Sequence, residues 1–420
     1  MHYEWHEFLG DFDVPWPTKG DEWISRISNY MTQNCGASGY GSSSGGDLGP
    51  FLEFTVTLGS EGERADTRLL LLPQPGDRIQ VWACGMDARD IDLIDAFRSA
   101  INLATAGIHE PVKSHKWSAV ISEAISPYGD QPKRLPRKLS LSRMKLSSTE
   151  RYFWQLGPTP LPSANSWTSR PSIPILIRGV STGYDWMHAQ RSAAEELGSL
   201  VSFLSAIWDT TIELQESPAP LEWGERQLPD QAGWMRAMEP GMMEAPNIED
   251  LDFLEIPDWI HDAWTTMNRR ARIKAAVSIY MEALRVEVRH PSLALVAFVA
   301  AVESISLSLY HEERCKSCSN HMNIGGKFNE TLELATTEWE RERLRAAYGN
   351  RSNTVHKGRL HGRELTPGAF SFSILSRISN PSLEASDVMI MKNAARKLLI
   401  MAMRNQLPSR MHYKNPESSQ

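Results

Sequence analysis

The most constraining feature of this sequence is a helical pattern of apolar residues that begins near Ile260 and runs almost to the end of the chain. This pattern predicts an all-α domain over residues 258–407, followed by a polar tail over residues 408–420. The longest interruption expected inside the domain is Arg359–Pro381. The predicted helices cover residues 258–270, 271–288, 292–310, 328–347, 351–357 and 384–405.

The first half of the chain combines strand-like runs with amphipathic segments. Pro73–Asp77 has the residues of a tight turn, so the runs on either side of it predict a β-hairpin. We therefore predict a mixed α+β domain over residues 1–215, and an α+β fold class for the chain. The predicted strands are 51–58, 68–72, 78–84 and 173–180, and the predicted helices are 21–31, 90–106 and 184–209.

Three segments lack both patterns. Gly36–Asp47 is rich in Gly and Ser and predicts a flexible connection, because no Gly-Lys-Ser/Thr follows it as in a phosphate-binding loop. Pro127–Pro162 is rich in proline and is expected to be irregular. Residues 216–257 predict an acidic, proline-bearing linker, since Glu244–Asp258 carries six acids and no base. An alternative for this acidic stretch is an inhibitory strip that covers a basic site.

The net charge of −7 argues against a protein whose surface is built as a whole for nucleic acid. Any RNA contact must come from a local patch, because affinity for phosphates depends on local cation density. Lys133–Lys145 offers such a patch, with six cations and no acid. This run could contact phosphates or a protein partner, and the alternative is a solvated loop.

Several features favour a cytoplasmic protein without a disulfide framework. Four cysteines in 420 residues are too few for such a framework. Met1–Glu7 is polar and acidic, and no apolar core of a secretion signal follows it. The longest apolar run, Leu293–Val302, is shorter than a membrane span and ends at Glu303.

The stretch whose residues are best suited to catalysis is Tyr348–Gly358, which holds an Arg, two Asn, a Ser and a His. His356 can exchange a proton near neutral pH, and Arg351 can stabilise charge that builds on phosphate oxygens. On an unbroken helix these two residues would point about 140° apart. Because Gly349 offers a break, we place the motif at a helix junction. Two copies that meet across a twofold axis are another way to bring both groups to one phosphate.

This region resembles a known family. Arg351, four intervening residues and His356 match the R-x4-6-H signature of HEPN domains, and the Tyr348, Arg351-Ser352 and His356 pattern resembles the Apea-like branch. Upstream, the apolar segment that ends in Glu303-Ser-Ile is similar to a helix of that branch. The resemblance covers about residues 257–407. It implies a small helical bundle that dimerises, and for catalytic members a metal-independent RNase, often a toxin or an antiviral defence effector.

Four further residues are expected to support this site. Asn353 lies three residues before His356, within reach on one helical turn, and could orient the imidazole, bind a phosphate or act as a cap. Ser352 stands where catalytic members commonly carry Asn, Asp or His. Tyr348 and Glu303 complete the family pattern. Arg351 could instead pair with an acid such as Glu303 and hold the bundle together.

A second motif contains two cysteines at CxxC spacing. Cys315 and Cys318 lie between His311 and His321, and these thiolates and imidazoles suit tetrahedral zinc. Such a site would staple a loop rather than catalyse, because protein ligands would fill all four positions. The alternatives are an unliganded loop and a redox pair.

The sequence thus favours a metal-independent endoribonuclease, a hydrolase of HEPN type that binds RNA and forms a homodimer, with Arg351 and His356 as its catalytic residues. No cofactor is expected for catalysis, and structural zinc is possible at the CxxC loop. The alternative is a non-catalytic HEPN-like module for dimerisation or RNA binding, which Ser352 favours.

Overall fold

The protein contains both helices and antiparallel strands, so the α+β prediction is confirmed at this level. The elements below come from a computed structural model. It describes residues 3–45, 51–58, 63–64, 67–85, 90–108, 110–124, 132–149, 153–158, 167–221, 231–232, 235–237, 248–287, 290–310, 324–357, 385–409 and 411.

The chain forms two compact units. Unit 1 comprises Met1–His115 and Ser181–Ser192, and unit 2 comprises Lys116–Val180 and Ala193–Gln420. This division does not fall at residue 215, where the sequence placed the end of the first domain. It assigns residues 116–180 to the same unit as the C-terminal helices.

Unit 1 is built on an antiparallel sheet with the strand order β1-β6-β5-β3-β2, in which the short β4 pairs with β3. Helices α1 (Trp16–Cys35) and α2 (Ile91–Gly107) share one buried core with this sheet, which includes Trp23, Phe54 and Phe97. The strands are β1 (Trp5–Asp13), β2 (Ala37–Gly45), β3 (Phe51–Leu58), β4 (Glu63–Arg64), β5 (Arg68–Gln74) and β6 (Arg78–Gly85).

Two expectations for unit 1 have opposite outcomes. The predicted hairpin is confirmed, because β5 and β6 pair on either side of a turn in which Gly76 and Asp77 have positive φ angles of 81° and 56°. The predicted flexible connection over Gly36–Asp47 is wrong, because β2 pairs with β3 along its length. The unpaired backbone of β3 needs a neighbour, and a Gly/Ser strand can supply one whatever its side chains.

Unit 2 contains two further sheets. The first has the order β13-β7-β12-β9-β8, and the second has the order β11-β10-β15-β14. The strands are β7 (Lys113–Glu123), β8 (Leu139–Leu141), β9 (Met144–Ser148), β10 (Phe153–Pro158), β11 (Trp167–Ser172), β12 (Ile175–Gly183), β13 (Ile212–Pro220), β14 (Gln231–Ala232) and β15 (Met235–Ala237).

Regular structure in unit 2 extends into segments that the sequence predicted to be irregular or linking. Strands β8, β9 and β10 lie within Pro127–Pro162, so that segment is not irregular throughout. Its hairpin forms because Leu139, Leu141, Met144 and Leu146 alternate with polar residues and are all buried. The end of β13, both short strands β14 and β15, and the buried Leu251 and Leu254 lie within residues 216–257.

The helices of unit 2 pack around α6, which contacts α5, α7, α8 and α9. Its buried side chains include Phe298, Val299 and Ile305. The helices are α3 (Trp186–Trp208), whose residues up to Ser192 belong to unit 1, and α4 (Ile260–Arg269), α5 (Ala271–Glu287), α6 (Pro291–Leu309), α7 (Ile324–Leu332), α8 (Glu338–Lys357) and α9 (Ala385–Met403), with one turn of 3-10 helix at Ile248–Asp250.

The helix predicted over residues 328–347 is in fact two helices. Thr337 separates them, because its hydroxyl accepts a 3.3 Å hydrogen bond from the Glu340 amide while the Glu340 carboxylate accepts a 2.8 Å bond from the Thr337 amide. This reciprocal capping box starts α8. The predicted interruption at Arg359–Pro381 lies outside the described residues.

A polar network fixes α9 to α3 and α5. Tyr280 donates a 2.7 Å hydrogen bond to Asp209, and Lys392 lies 3.6 Å from Asp209 and 3.1 Å from Glu287. Arg396 donates to the carbonyl oxygen of Ala206 at the end of α3. Burial, followed by the Asp209 carboxylate, raises the pKa of Tyr280, which therefore stays a proton donor.

Candidate functional site

The structure brings together two of the predicted supporting residues. The Tyr348 hydroxyl donates a 3.1 Å hydrogen bond to Oε1 of Glu303, which ties α8 to α6. The Tyr348 ring also packs against Phe328 of α7, with 4.7 Å between the ring centroids. We call this contact between Glu303 and Tyr348 the α6–α8 joint.

Helix α8 runs unbroken through the candidate catalytic motif. It continues past Gly349 to Lys357, so the predicted helix junction is wrong. A glycine inside a helix costs only about 1 kcal/mol relative to alanine. Contacts along α8 outweigh that cost: besides the α6–α8 joint, Arg343 donates to Asp387 of α9 at 2.6 Å.

The continuous helix sets where the two catalytic positions lie. Arg351 and His356 occupy positions about 140° apart around the axis of α8. Thr354, which is buried, lies about 60° from position 351 and about 160° from position 356. The two positions therefore lie on different sides of α8.

The side chains of Arg351, Ser352, Asn353 and His356 lie outside the described part of the structure. Their helical backbone places Ser352 one turn after Tyr348, and Asn353 one turn before His356. The suggested pairing of Arg351 with Glu303 is therefore untested, although Glu303 does bind Tyr348. One chain does not place positions 351 and 356 on a single helical face.

The four candidate metal ligands, His311, Cys315, Cys318 and His321, lie outside the described residues. Among the residues that are described, no group of three or more His, Cys, Asp or Glu side chains is placed to hold a metal ion. Tyr310, the last described residue before these ligands, donates a 2.7 Å hydrogen bond to Glu330 of α7. Burial, and then this carboxylate, raise the pKa of Tyr310.

The basic run Lys133–Lys145 continues into the β8–β9 hairpin, which carries two of its six cations, Arg143 and Lys145, while the other four precede β8. Strand pairing aligns Ser140 with Lys145, and Lys145 with Arg178 of β12. Ser140 and Lys145 are exposed and Arg178 is half-buried, whereas the alternate residues of the hairpin are buried. Sequence reasoning missed Arg178, although its place in an alternating strand was a signal that it faces outward with the polar residues.

The acidic stretch touches this basic run. Arg134 pairs with Phe253 in a short parallel bridge, and its guanidinium carbon lies 4.6 Å from the centroid of the Phe253 ring. A groove of about 390 Å³ is lined by residues that follow both of these partners in the chain. Its lining comes from two segments, one with Arg137, Lys138 and Ser140 and the other with Ile256, Asp258 and His261.

Helix α6 is long and apolar enough to cross a membrane by length and composition, unlike the shorter run noted in the sequence. However, 56% of that stretch is buried inside the protein, as in the core helix of a soluble protein. It is the one such helix among the described residues, and on its own it is weak support for a membrane span.

Comparisons with protein-family models, with curated proteins and with solved structures give no match for this chain.

Proposed function

We propose that this protein is a metal-independent endoribonuclease of HEPN type. The observation that carries the proposal is the α6–α8 joint, which fixes α8 one turn before Arg351 through two residues of the family pattern. A catalytic helix needs such an anchor, because reacting groups must be held within about 0.5 Å of productive geometry. By the same resemblance, the protein would act in the cytoplasm as a toxin or an antiviral effector.

The proposed reaction is strand cleavage by transesterification. His356 removes the proton from the ribose 2′-hydroxyl or returns one to the leaving oxygen. Arg351 stabilises the charge on the pentavalent phosphate through charge-assisted hydrogen bonds. Ser352 and Asn353 orient these groups or bind the phosphate.

The angular separation of positions 351 and 356 favours a site shared between two copies. In a twofold dimer, Arg351 of one copy and His356 of the other can face the same phosphate even though they diverge within each chain. Two such sites would form in each dimer.

RNA cleavage in excess chelator tests the proposal. We expect the wild-type protein to cleave, and Arg351→Ala or His356→Ala to reduce the rate by about 10²- to 10⁴-fold. Arg345→Ala is the matched control, since Arg345 is an exposed arginine on the same helix. Equal cleavage by all four proteins, or none by any, would contradict the nuclease proposal.

A mixing experiment separates the shared site from a site within one chain. If Arg351→Ala and His356→Ala chains exchange subunits at equal concentrations, half of the dimers are mixed and each has one intact site, which gives about a quarter of wild-type activity. A site within one chain gives no recovery.

The alternative function is a non-catalytic module for dimerisation or RNA binding. The divergence of positions 351 and 356 on a continuous α8 favours it if no second copy completes the site. RNA binding and dimer formation without cleavage would support this alternative.

We also propose structural zinc at His311, Cys315, Cys318 and His321. Metal analysis of the purified protein should find about one zinc per chain, and Cys315→Ser with Cys318→Ser should abolish it. Cys35→Ser is the control, since Cys35 lies outside the motif. Metal-free wild-type protein would contradict this proposal.

A further inference from the structure

Cations gather at the β8–β9 hairpin of unit 2. We define the basic face as Arg137 and Lys138, which are exposed just before β8, together with Ser140, Lys145 and Arg178, which strand pairing aligns. The buried alternate residues of β8 and β9 anchor the strands, so Ser140 and Lys145 face outward. Among the residues that the structure describes, no ion-pair partner engages Arg137, Lys138 or Lys145.

Strand pairing sets Lys145 directly opposite Arg178, where the Cβ atoms of paired residues lie about 5 Å apart. In a protein with a net charge of −7, an array of cations held close together is suited to a polyanion.

The groove next to the basic face limits the size and shape of the ligand that can bind there. Its volume of about 390 Å³ is within the range of small-molecule sites, which begins at about 300 Å³. Arg137 and Lys138 suit a phosphate on one side, while Ile256 and the His261 ring offer a surface for a base on the other.

An aromatic ring is exposed three residues before Ile256. Phe253 is 51% exposed, and Arg134 covers one of its faces. Aromatic rings beside arginines are platforms on which single-stranded bases stack. A membrane surface would instead favour apolar residues projecting together from the basic face, whose outward positions are polar.

We propose that the basic face and the groove bind single-stranded RNA. The phosphodiester backbone runs along Lys138, Lys145 and Arg178, and one nucleotide occupies the groove. The choice of RNA as the polyanion rests on the proposed nuclease function. The position of the site does not, because it is derived from residues of the hairpin and of the segment before α4.

Fluorescence anisotropy with a labelled single-stranded RNA of about 12 nucleotides tests this site. The His356→Ala chain serves as the background, so that cleavage does not disturb the measurement. The double variant Arg137→Glu and Lys138→Glu should weaken binding by about tenfold or more, and should lower the slope of log K against log salt by about 1.4. Both side chains are exposed, and thermal unfolding checks that the variant folds.

The matched control reverses the same number of charges elsewhere. Arg269→Glu with Arg270→Glu changes two exposed arginines about 12 Å along α4 from His261, and should leave affinity within about twofold. Equal loss in both double variants would overturn the site, since it would report net charge alone. Tighter binding to duplex RNA, or binding to phosphatidylserine vesicles but not to RNA, would also overturn it.

The RNA-binding test and the RNA-cleavage test can fail independently of each other. If no RNA is cleaved but Arg137→Glu with Lys138→Glu weakens binding, the RNA-binding site holds and the nuclease proposal fails. If cleavage depends on His356 but the Arg137→Glu and Lys138→Glu variant binds RNA as well as its background, the nuclease proposal holds and the RNA-binding site fails.

Discussion

The α6–α8 joint and the basic face show how sequence and structure contribute differently at two regions of one unit. At the joint, the family pattern pointed to Tyr348 and Glu303 from the sequence alone, and the fold brings their side chains into contact. At the basic face, the sequence showed only a charge run, and strand pairing added Arg178 from 33 residues away. A motif within one helix can be recognised from the sequence. A surface built from several strands can be recognised only when the pairing register of those strands is known.

The largest expected effect tests whether α6 is the core of the helical region. Phe298 is fully buried, so Phe298→Ala should lower the free energy of unfolding by about 3–5 kcal/mol. Leu293→Ala on the same helix is the control, since Leu293 is 45% exposed, and should cost less than about 1 kcal/mol. Chemical denaturation measures both, and equal losses would mean that α6 is not packed as described.

A smaller effect is expected at the joint itself. Tyr348→Phe removes the hydrogen-bond donor to half-buried Glu303 and should cost about 1–3 kcal/mol of stability. The Phe328 contact is retained, so the loss reports the polar contacts of the hydroxyl. In a double-mutant cycle with Glu303→Leu, which removes the acceptor, a coupling energy near zero would contradict a direct interaction.

A further prediction concerns Glu196 of α3, whose ionisation makes the stability of the fold depend on pH. Burial raises its pKa above 4.5, and Arg143 and Lys274 only partly oppose this. The folded state therefore binds the proton more tightly than the unfolded state, so this group destabilises the fold increasingly as pH rises through its raised pKa. Glu196→Gln should raise the melting temperature at pH 7, and the gain should vanish well below pH 4.5. An unchanged or larger gain at low pH would contradict the assignment.

The smallest expected effect concerns the groove. Asp258→Asn removes the negative charge that faces Arg137 and Lys138, and should strengthen RNA binding by about two- to fivefold at low salt. Asp262→Asn, on the exposed first turn of α4, serves for comparison. Weaker binding after Asp258→Asn would instead assign that carboxylate to base recognition.

Local chemistry accounts for what the sequence predicted well. The Pro73–Asp77 turn and most of the helices depend on residues that are neighbours in the chain, and these predictions are confirmed. The capping box at Thr337 and Glu340 was also local, and it was a visible signal that the helix predicted over 328–347 divides there.

Non-local packing accounts for what was missed. Strand β2 exists because β3 needs a partner, and its own Gly/Ser sequence gave no indication of a strand. Gly349 remains helical because contacts of α8 with α6 and α9 outweigh its local preference. Candidate residues Arg351 and His356 could be chosen from spacing, but spacing did not reveal that a continuous α8 keeps them on different sides of the helix.

The length and direction of α8 have one further consequence for the proposed chemistry. Acidic Glu338 and Glu340 lie at its start, and Arg351 and His356 lie in its last two turns. The carbonyl groups at that end create the negative pole of the helix macrodipole, which repels an incoming anion. A phosphate bound there gains no help from the α8 backbone, so side chains must supply the attraction, chiefly through the charge of Arg351, and Arg351→Gln should be nearly as damaging to phosphate binding as Arg351→Ala.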